Sequence, residues 1–252
     1  FLERTVDKKQ VESIIKKAKE LNFNNINIDL MYAMPEESLE DLIEDLDYIL
    51  SLNIEHISTY SLIIEPHTKL GLKRIENINE DLDYEMYELI CKKLKKHNYT
   101  HYEISNFSKK GYESRHNLCY WNNDEYYGFG LGASSYLNNK RITNTRSISK
   151  YLARNYQSDI EELNENDKIE YEIILNLRKA SGISLEKFSN KYGKELKDFY
   201  NYQSLVEKRL LKETPNSLFI PENKWYISNE IIIKLLEGEV DGNWKKFWKR
   251  IK

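Results

Sequence analysis

Two stretches of this 252-residue chain hold side chains able to do chemistry. In the first, Ile26, Ile28 and Leu30 alternate with Asn27, Asp29 and Met31, the period-two pattern of a strand with one apolar and one polar face. With the apolar set against helices, Asp29 turns toward an enclosed interior near the strand's carboxyl end. A carboxylate there is costly unless a cation or hydrogen-bond donor meets it. That partner is either a ligand or a local Lys or Arg. Ser61 and Ile63 are expected on the same interior face of the next strand. In the second stretch, His116-Asn117-Leu118-Cys119-Tyr120-Trp121, the imidazole is of the type that ligates metals, and Tyr120 and Trp121 offer flat apolar surface. Asn117 is placed to hold the ring's other nitrogen or the backbone of an irregular turn. The alternative is a loop of packed polar residues. His56, His67, His97 and His101 show no partner pattern and are read as structural.

Other motifs say less. Gly128–Ser135 is rich in glycine, yet it lacks the acidic residue about 20 positions on and the strand-to-helix frame of a dinucleotide fingerprint. It is read as close backbone packing. No Gly-x-Ser-x-Gly elbow supports a Ser/His/Asp triad. Near the end, Trp244, Phe247, Trp248 and Ile251 share a helical face ringed by Lys245, Lys246, Lys249 and Arg250. Such a segment lies on an anionic membrane or docks on its own domain.

The elements that must position these residues follow from periodicity. Asp7 is a candidate cap for a helix carrying Val11, Ile14, Ile15, Ala18 and Leu21 on one face. A strand over 25–33 ends at Pro35, and Ser38 with Asp41 forms a capping box for a helix striped by Leu39, Leu42, Ile43, Leu46, Ile49 and Leu50. A strand over 56–64 is closed by Pro66. A helix over 81–97 and a strand over 100–107 follow, an alternation that signals a parallel α/β unit. Residues 109–137 lose periodicity, as site-forming segments do. After about residue 155, helices are predicted at 165–179, 184–192 and 195–212, then a two-stranded piece around 218–227 and a helix at 230–236. Three helices and a hairpin resemble a winged helix. Its would-be recognition face mixes Glu186, Lys187, Lys191, Lys194, Glu195 and Asp198, which favours a protein-contact or lid role over DNA.

Thirty-eight Lys+Arg stand against 41 Asp+Glu, a net charge of −3 that argues neither for nucleic acid nor for disorder. The two cysteines, Cys91 and Cys119, are too far apart for a metal knuckle, and so few thiols suit a reducing cytosol. No apolar run approaches the roughly 18 residues that span a bilayer. The chain opens on Phe1 and runs at once into a helix, which reads as a truncated start. Too few strands are evident to close a barrel, so preceding strands are expected in the native protein.

Three segments together resemble the HemN/HemW family (oxygen-independent coproporphyrinogen III oxidase-like proteins) of the radical-SAM superfamily. They are Ile28-Asp29-Leu30-Met31-Tyr32-Ala33-Met34-Pro35, then Tyr60-Ser61-Leu62-Ile63-Ile64-Glu65-Pro66-His67-Thr68, and Tyr102-Glu103-Ile104-Ser105-Asn106-Phe107 continuing through His116–Trp121 to Gly128–Tyr136. The His-Asn-x-x-Tyr-Trp signature points to the HemW-like side. The resemblance implies an α/β fold: the carboxy-terminal part of a partial (β/α) radical-SAM barrel over 1–155, then a helical winged-helix-like domain over 156–252. It also implies S-adenosylmethionine held by Arg4 and Asp29, with Ser61 and Ile63 lining the adenosine. Heme is implied at His116, as iron ligand, with Asn117, Tyr120 and Trp121 around it. A [4Fe–4S] cluster is implied for the intact protein. The function implied is that of a cytoplasmic heme chaperone serving an acceptor protein, with no nucleic-acid partner. The alternative is radical oxidative decarboxylation of coproporphyrinogen III. Ala33 replaces a family glycine, Glu36-Glu37-Ser38 replaces Gly-Gln-Thr, and Ser134 stands where many members have histidine. The family's Cys-x-x-x-Cys-x-x-Cys is nowhere in this sequence.

Overall fold

Asp7 begins the first helix, α1 (Lys8–Glu20), as its spacing to Gln10 predicts: each side chain accepts from the other's backbone N–H. The computed structural model describes residues 7–65, 68–73 and 75–237. Arg4, Pro66, His67 and the aromatic tail at 243–252 lie outside the described residues. The chain divides into two units that part between Glu113 and Ser114. The change of sequence pattern placed at 155/156 falls inside the second of them.

In the first unit, β1 (Asn27–Tyr32) is followed by α2 (Leu39–Ser51), capped through the expected Ser38–Asp41 box. Then come β2 (His56–Ser61), a one-turn α3 (Lys69–Leu72), α4 (Glu80–Lys96), β3 (Thr100–Glu103) and β4 (Asn106–Ser108). The sheet order is β1-β2-β4-β3. Among the described strands only β1 and β2 pair in parallel, from Asn27 opposite His56 to Tyr32 opposite Ser61. The single strand predicted over 100–107 is instead a hairpin, and it turns β4 antiparallel to β2. A bulge between His101 and Glu103 and an Asn106–Glu103 side-chain hydrogen bond hold the fold-back.

One face of this sheet carries the core. Leu30, Ile57 and Phe107 are buried with Leu42, Leu46 and Ile49 of α2 and Met86, Ile90 and Leu94 of α4. Ile15 of α1 joins them, while Ile14 and Leu21 fall off the expected stripe, 64% and 58% exposed. Ala33 sits buried at φ 60°, the left-handed region that glycine adopts without the Cβ strain alanine carries there.

The second unit opens with α5 (Arg115–Trp121), a helix where an irregular turn was expected. Ser114 explains it: its hydroxyl accepts from Asn117 N–H at 3.2 Å and nucleates the first turn. An antiparallel sheet unforeseen from periodicity follows, built of β5 (Ser134–Leu137), β6 (Lys140–Asn144) and, after α6 (Ile148–Leu152), β7 (Gln157–Glu162). Every residue of β7 is exposed, so the strand has no apolar alternation to betray it. The chain continues through α7 (Glu165–Asn176), β8 (Ile183–Ser184), α8 (Leu185–Tyr192), α9 (Gln203–Glu207), β9 (Lys212–Glu213), β10 (Ser217–Phe219) and α10 (Ser228–Glu237).

Strands β8, β10 and β9 form a small antiparallel sheet beside these helices, the winged-helix-like pattern. Two predicted elements change. The helix over 195–212 is a 3-10 turn at Leu196–Asp198 and the short α9, because Asn201 Oδ1 accepts from Gln203 N–H and restarts the chain. The strand predicted to reach 227 stops at Phe219, and Pro221 leads into a 3-10 turn at Glu222–Ile227. No helix among the described residues is long and apolar enough to cross a membrane.

Candidate functional site

In the first unit the sheet face turned away from α2 and α4 is polar. In-register pairing sets Asn27 beside His56 and Asp29 beside Ser58. Asn27 Oδ1 accepts from Ser58 Oγ at 3.1 Å and lies 2.6 Å from His56 Nδ1. The acceptor character of that oxygen puts the imidazole proton on Nδ1, so Nε2 accepts from the Tyr102 hydroxyl at 2.7 Å. Burial pushes the His56 pKa down, while Asp29 and Glu113 act the other way. The imidazole is a neutral structural link, as read from sequence. Glu103, Asn106 and Ser108 lie buried on the same face, and Asn106 Oδ1 and Ser108 Oγ have no partner among the described residues. Such enclosed oxygens await a donor from water or ligand.

Asp29 is on this face, as alternation predicts, but it is exposed rather than enclosed. It belongs to the edge strand, where water reaches it, and its carboxylate accepts from Asn27 Nδ2 at 2.8 Å. Among the described residues no salt bridge joins it to a Lys or Arg. Ser61 is a correction. Its pairing with the buried Tyr32 turns it to the helical side, and its hydroxyl donates to Asp83 of α4 at 2.9 Å. That partner, 22 residues away, is invisible to alternation. Ile63 lies past the end of β2 and is 72% exposed, so it too is not placed by strand phase.

In the second unit, α5 carries the other candidate set. His116 and Tyr120, four apart, share one helix face, and Asn117 and Trp121 share the next. The His116 ring is exposed. Its Nε2 lies 3.0 Å from the Tyr120 hydroxyl, and the two rings meet edge-on at 4.7 Å. Tyr120, not Asn117, therefore holds the imidazole, while Asn117 serves the helix start through its backbone. Nδ1 of His116 has no hydrogen-bond partner among the described residues. Tyr126 continues the row, edge-on to Tyr120 at 4.5 Å. Trp121 is turned into the protein. Its indole N–H is enclosed, and the Arg178 guanidinium lies over its ring at 5.7 Å, so that face is not open to a macrocycle.

Behind α5 lies a polar anchor that sequence reasoning missed. Lys179, 7% exposed, donates to Asn122 Oδ1 at 2.5 Å and Asn176 Oδ1 at 2.8 Å. Burial lowers its pKa to about 8, against the pull of Glu172. Arg141 packs between the Tyr171 and Tyr136 rings, 3.9 and 4.7 Å away, and donates to Asn123. Two carboxamides next to the Trp121 end of α5 were the available signal. Burial of the cation was not legible without the packing.

The donor sets can be tested against the groups the family implies. An exposed imidazole oriented by a tyrosine fits an axial position on a heme iron. The polar sheet face, with Asp29 and unmet oxygens, fits an amine- and hydroxyl-bearing ligand such as S-adenosylmethionine. A [4Fe–4S] cluster does not fit: the chain has two cysteines, and no group of three His, Cys, Asp or Glu among the described residues is placed to hold a metal.

Taken as a class, this is an α/β protein with the radical-SAM HemN fold. The structure matches "Coproporphyrinogen III oxidase (HemN) from Escherichia coli is a Radical SAM enzyme" with a TM-score of 0.79, covering 94% of this chain and 60% of that one at 14% identity. No family model matches the chain. In sequence it is 37% identical over 249 residues to the heme chaperone HemW of Lactococcus lactis, and 34% identical over 239 residues to that of Bacillus subtilis. These alignments cover 94% and 90% of this chain but 65% and 63% of the relatives, so the chain spans a little under two thirds of their length. The chain belongs to the HemW-like family, and its fold is that of HemN.

Proposed function

We propose that this chain binds heme through His116, as part of a cytosolic heme chaperone that passes heme to an acceptor protein. The observation that carries the reading is the exposed imidazole on α5, held by Tyr120 at one nitrogen and without a partner among the described residues at the other. Heme supplies an iron with an axial position for neutral imidazole. The chain's own part is to fix the ring: the Tyr120 hydroxyl orients it, and Ser114 holds the helix that presents it. The name heme chaperone carried by the relatives supports the same reading.

For S-adenosylmethionine we propose Asp29 as the chain's contact, with the hydrogen-bonded Asn27 holding its carboxylate in place. No radical step is assigned to this chain, because its residues do not hold the cluster such a step needs.

Heme titration of the chain, followed by its Soret band, tests the axial-ligand role. His116→Ala is expected to weaken binding at least about tenfold, the loss of one coordinate bond with its orienting shell. Unchanged affinity and an unchanged Soret position in the variant would remove His116 from the iron.

A further inference from the structure

The row His116–Tyr120–Tyr126 runs directly into a loop whose apolar side chains face water. Tyr127, Phe129 and Leu131 are 70%, 86% and 46% exposed and alternate with Gly128, Gly130 and Gly132. The Tyr127 and Phe129 rings lie nearly parallel, 6.2 Å apart at 23°. A slack loop would fold such side chains inward, but this one is pinned. Asn144 Nδ2 donates to Gly128 O at 3.2 Å and Gly130 O at 2.9 Å, and Gly128 N–H donates to Ser135 Oγ at 2.9 Å. Gly132 N–H donates to Thr145 O at 3.1 Å. The aromatic display is therefore built into the hydrogen bonding, and its ordering cost is met before any ligand arrives.

A cation stands at the end of the same loop. The Arg146 side chain runs alongside Gly132, where a Cβ would lie 3.3 Å from Arg146 Cγ. Arg146 is exposed and makes no ion pair with the described residues. An imidazole, parallel flat apolar groups and an exposed guanidinium in sequence along one unit match three parts of one ligand class: a metal centre, a planar macrocycle and a carboxylate edge.

We infer that the 127–132 loop grips the porphyrin plane and that Arg146 pairs with a propionate, so that the site takes porphyrin dicarboxylates with or without iron. The inference rests on the heme reading of His116, but it assigns the ring and its acids to different residues from the metal. A protein partner or a lipid surface would use the apolar loop without needing either carboxylates or a flat ring.

The test uses three probes on the chain: hemin, metal-free protoporphyrin IX and protoporphyrin IX dimethyl ester. The variants are Phe129→Ser with Leu131→Ser, Arg146→Gln and His116→Ala, each checked for native circular dichroism. The loop variant is expected to weaken all three probes about tenfold or more, as loss of one to two buried apolar side chains requires. Arg146→Gln is expected to weaken the two dicarboxylates about fivefold or more and to leave the ester unchanged, the behaviour of a charge-assisted contact. His116→Ala should affect hemin alone. Wild-type affinity of the loop variant for metal-free porphyrin overturns the inference, and if His116→Ala still weakens hemin, the axial-ligand reading survives that failure. Loss of porphyrin binding in the loop variant with no effect of His116→Ala on hemin sinks the axial ligand and keeps the loop. An equal effect of Arg146→Gln on acid and ester removes the propionate contact.

Discussion

Lys179 offers a sharp test of the packing behind α5. The residue is 7% exposed, and its ammonium donates to two carboxamide oxygens, neither of them a full counter-charge. Burial takes its pKa from 10.5 to about 8. Below pH 8 both folded and unfolded states are protonated, and the folded cation carries the full cost of burial, about 3 kcal/mol for a fall of that size. Between 8 and 10.5 the folded state gives up its proton first, so the unfolded state binds more protons and stability rises with pH. The relief between pH 7 and 9.5 comes to about 2 kcal/mol. Lys179→Met keeps the length of the side chain and removes the charge. It also strips a donor from the buried Asn176, a loss of about 1–3 kcal/mol that does not vary with pH. Urea unfolding read by tryptophan fluorescence isolates the second unit, since all four tryptophans fall at Trp121 or later. Wild type should gain stability from pH 7 to 9.5, and the variant should lack about 2 kcal/mol of that gain. Equal gains in the two proteins refute the argument that burial, rather than pairing, governs this lysine.

Two further outcomes follow from the same geometry. Gly128→Ala should destabilise the second unit by about 2–3 kcal/mol in urea unfolding, because the new Cβ would lie 2.1 Å from the Ser134 carbonyl oxygen. Gly130→Ala meets nothing within 4 Å and carries only the strain of φ +99°, about 1–2 kcal/mol, so a smaller loss at 128 than at 130 contradicts the packing. In the first unit, Tyr102→Phe takes the donor from His56 Nε2 and should cost about 1–2 kcal/mol. Because burial holds the His56 pKa below 6.5, unfolded chains bind the proton first and stability falls as pH drops through 6.5; His56→Gln should flatten that fall in hydrogen-exchange measurements on the first unit.

Much of the fold could be read from local chemistry. The Asp7 and Ser38 caps, the buried Leu42–Leu46–Ile49 stripe and the alternation of Leu30 with Asp29 depend on neighbours one to four residues apart, and the structure keeps them. The His-Asn-x-x-Tyr-Trp stretch names a second candidate set by residue type alone. What the chain alone left open depends on partners distant in sequence. Ser61 faces Asp83 because the β1–β2 register puts it beside Tyr32, and no periodicity in its own strand records that register. Strand β7 is exposed throughout, so only its pairing with β6 makes it a strand. His116 is oriented by Tyr120 rather than Asn117 because Ser114 turns the motif into a helix, and a helix brings together residues four apart. Side-chain type and short-range spacing declared which groups can do chemistry. Which of them face water, which face the core and which meet one another was decided by tertiary pairing, because burial and register are properties of two segments at once.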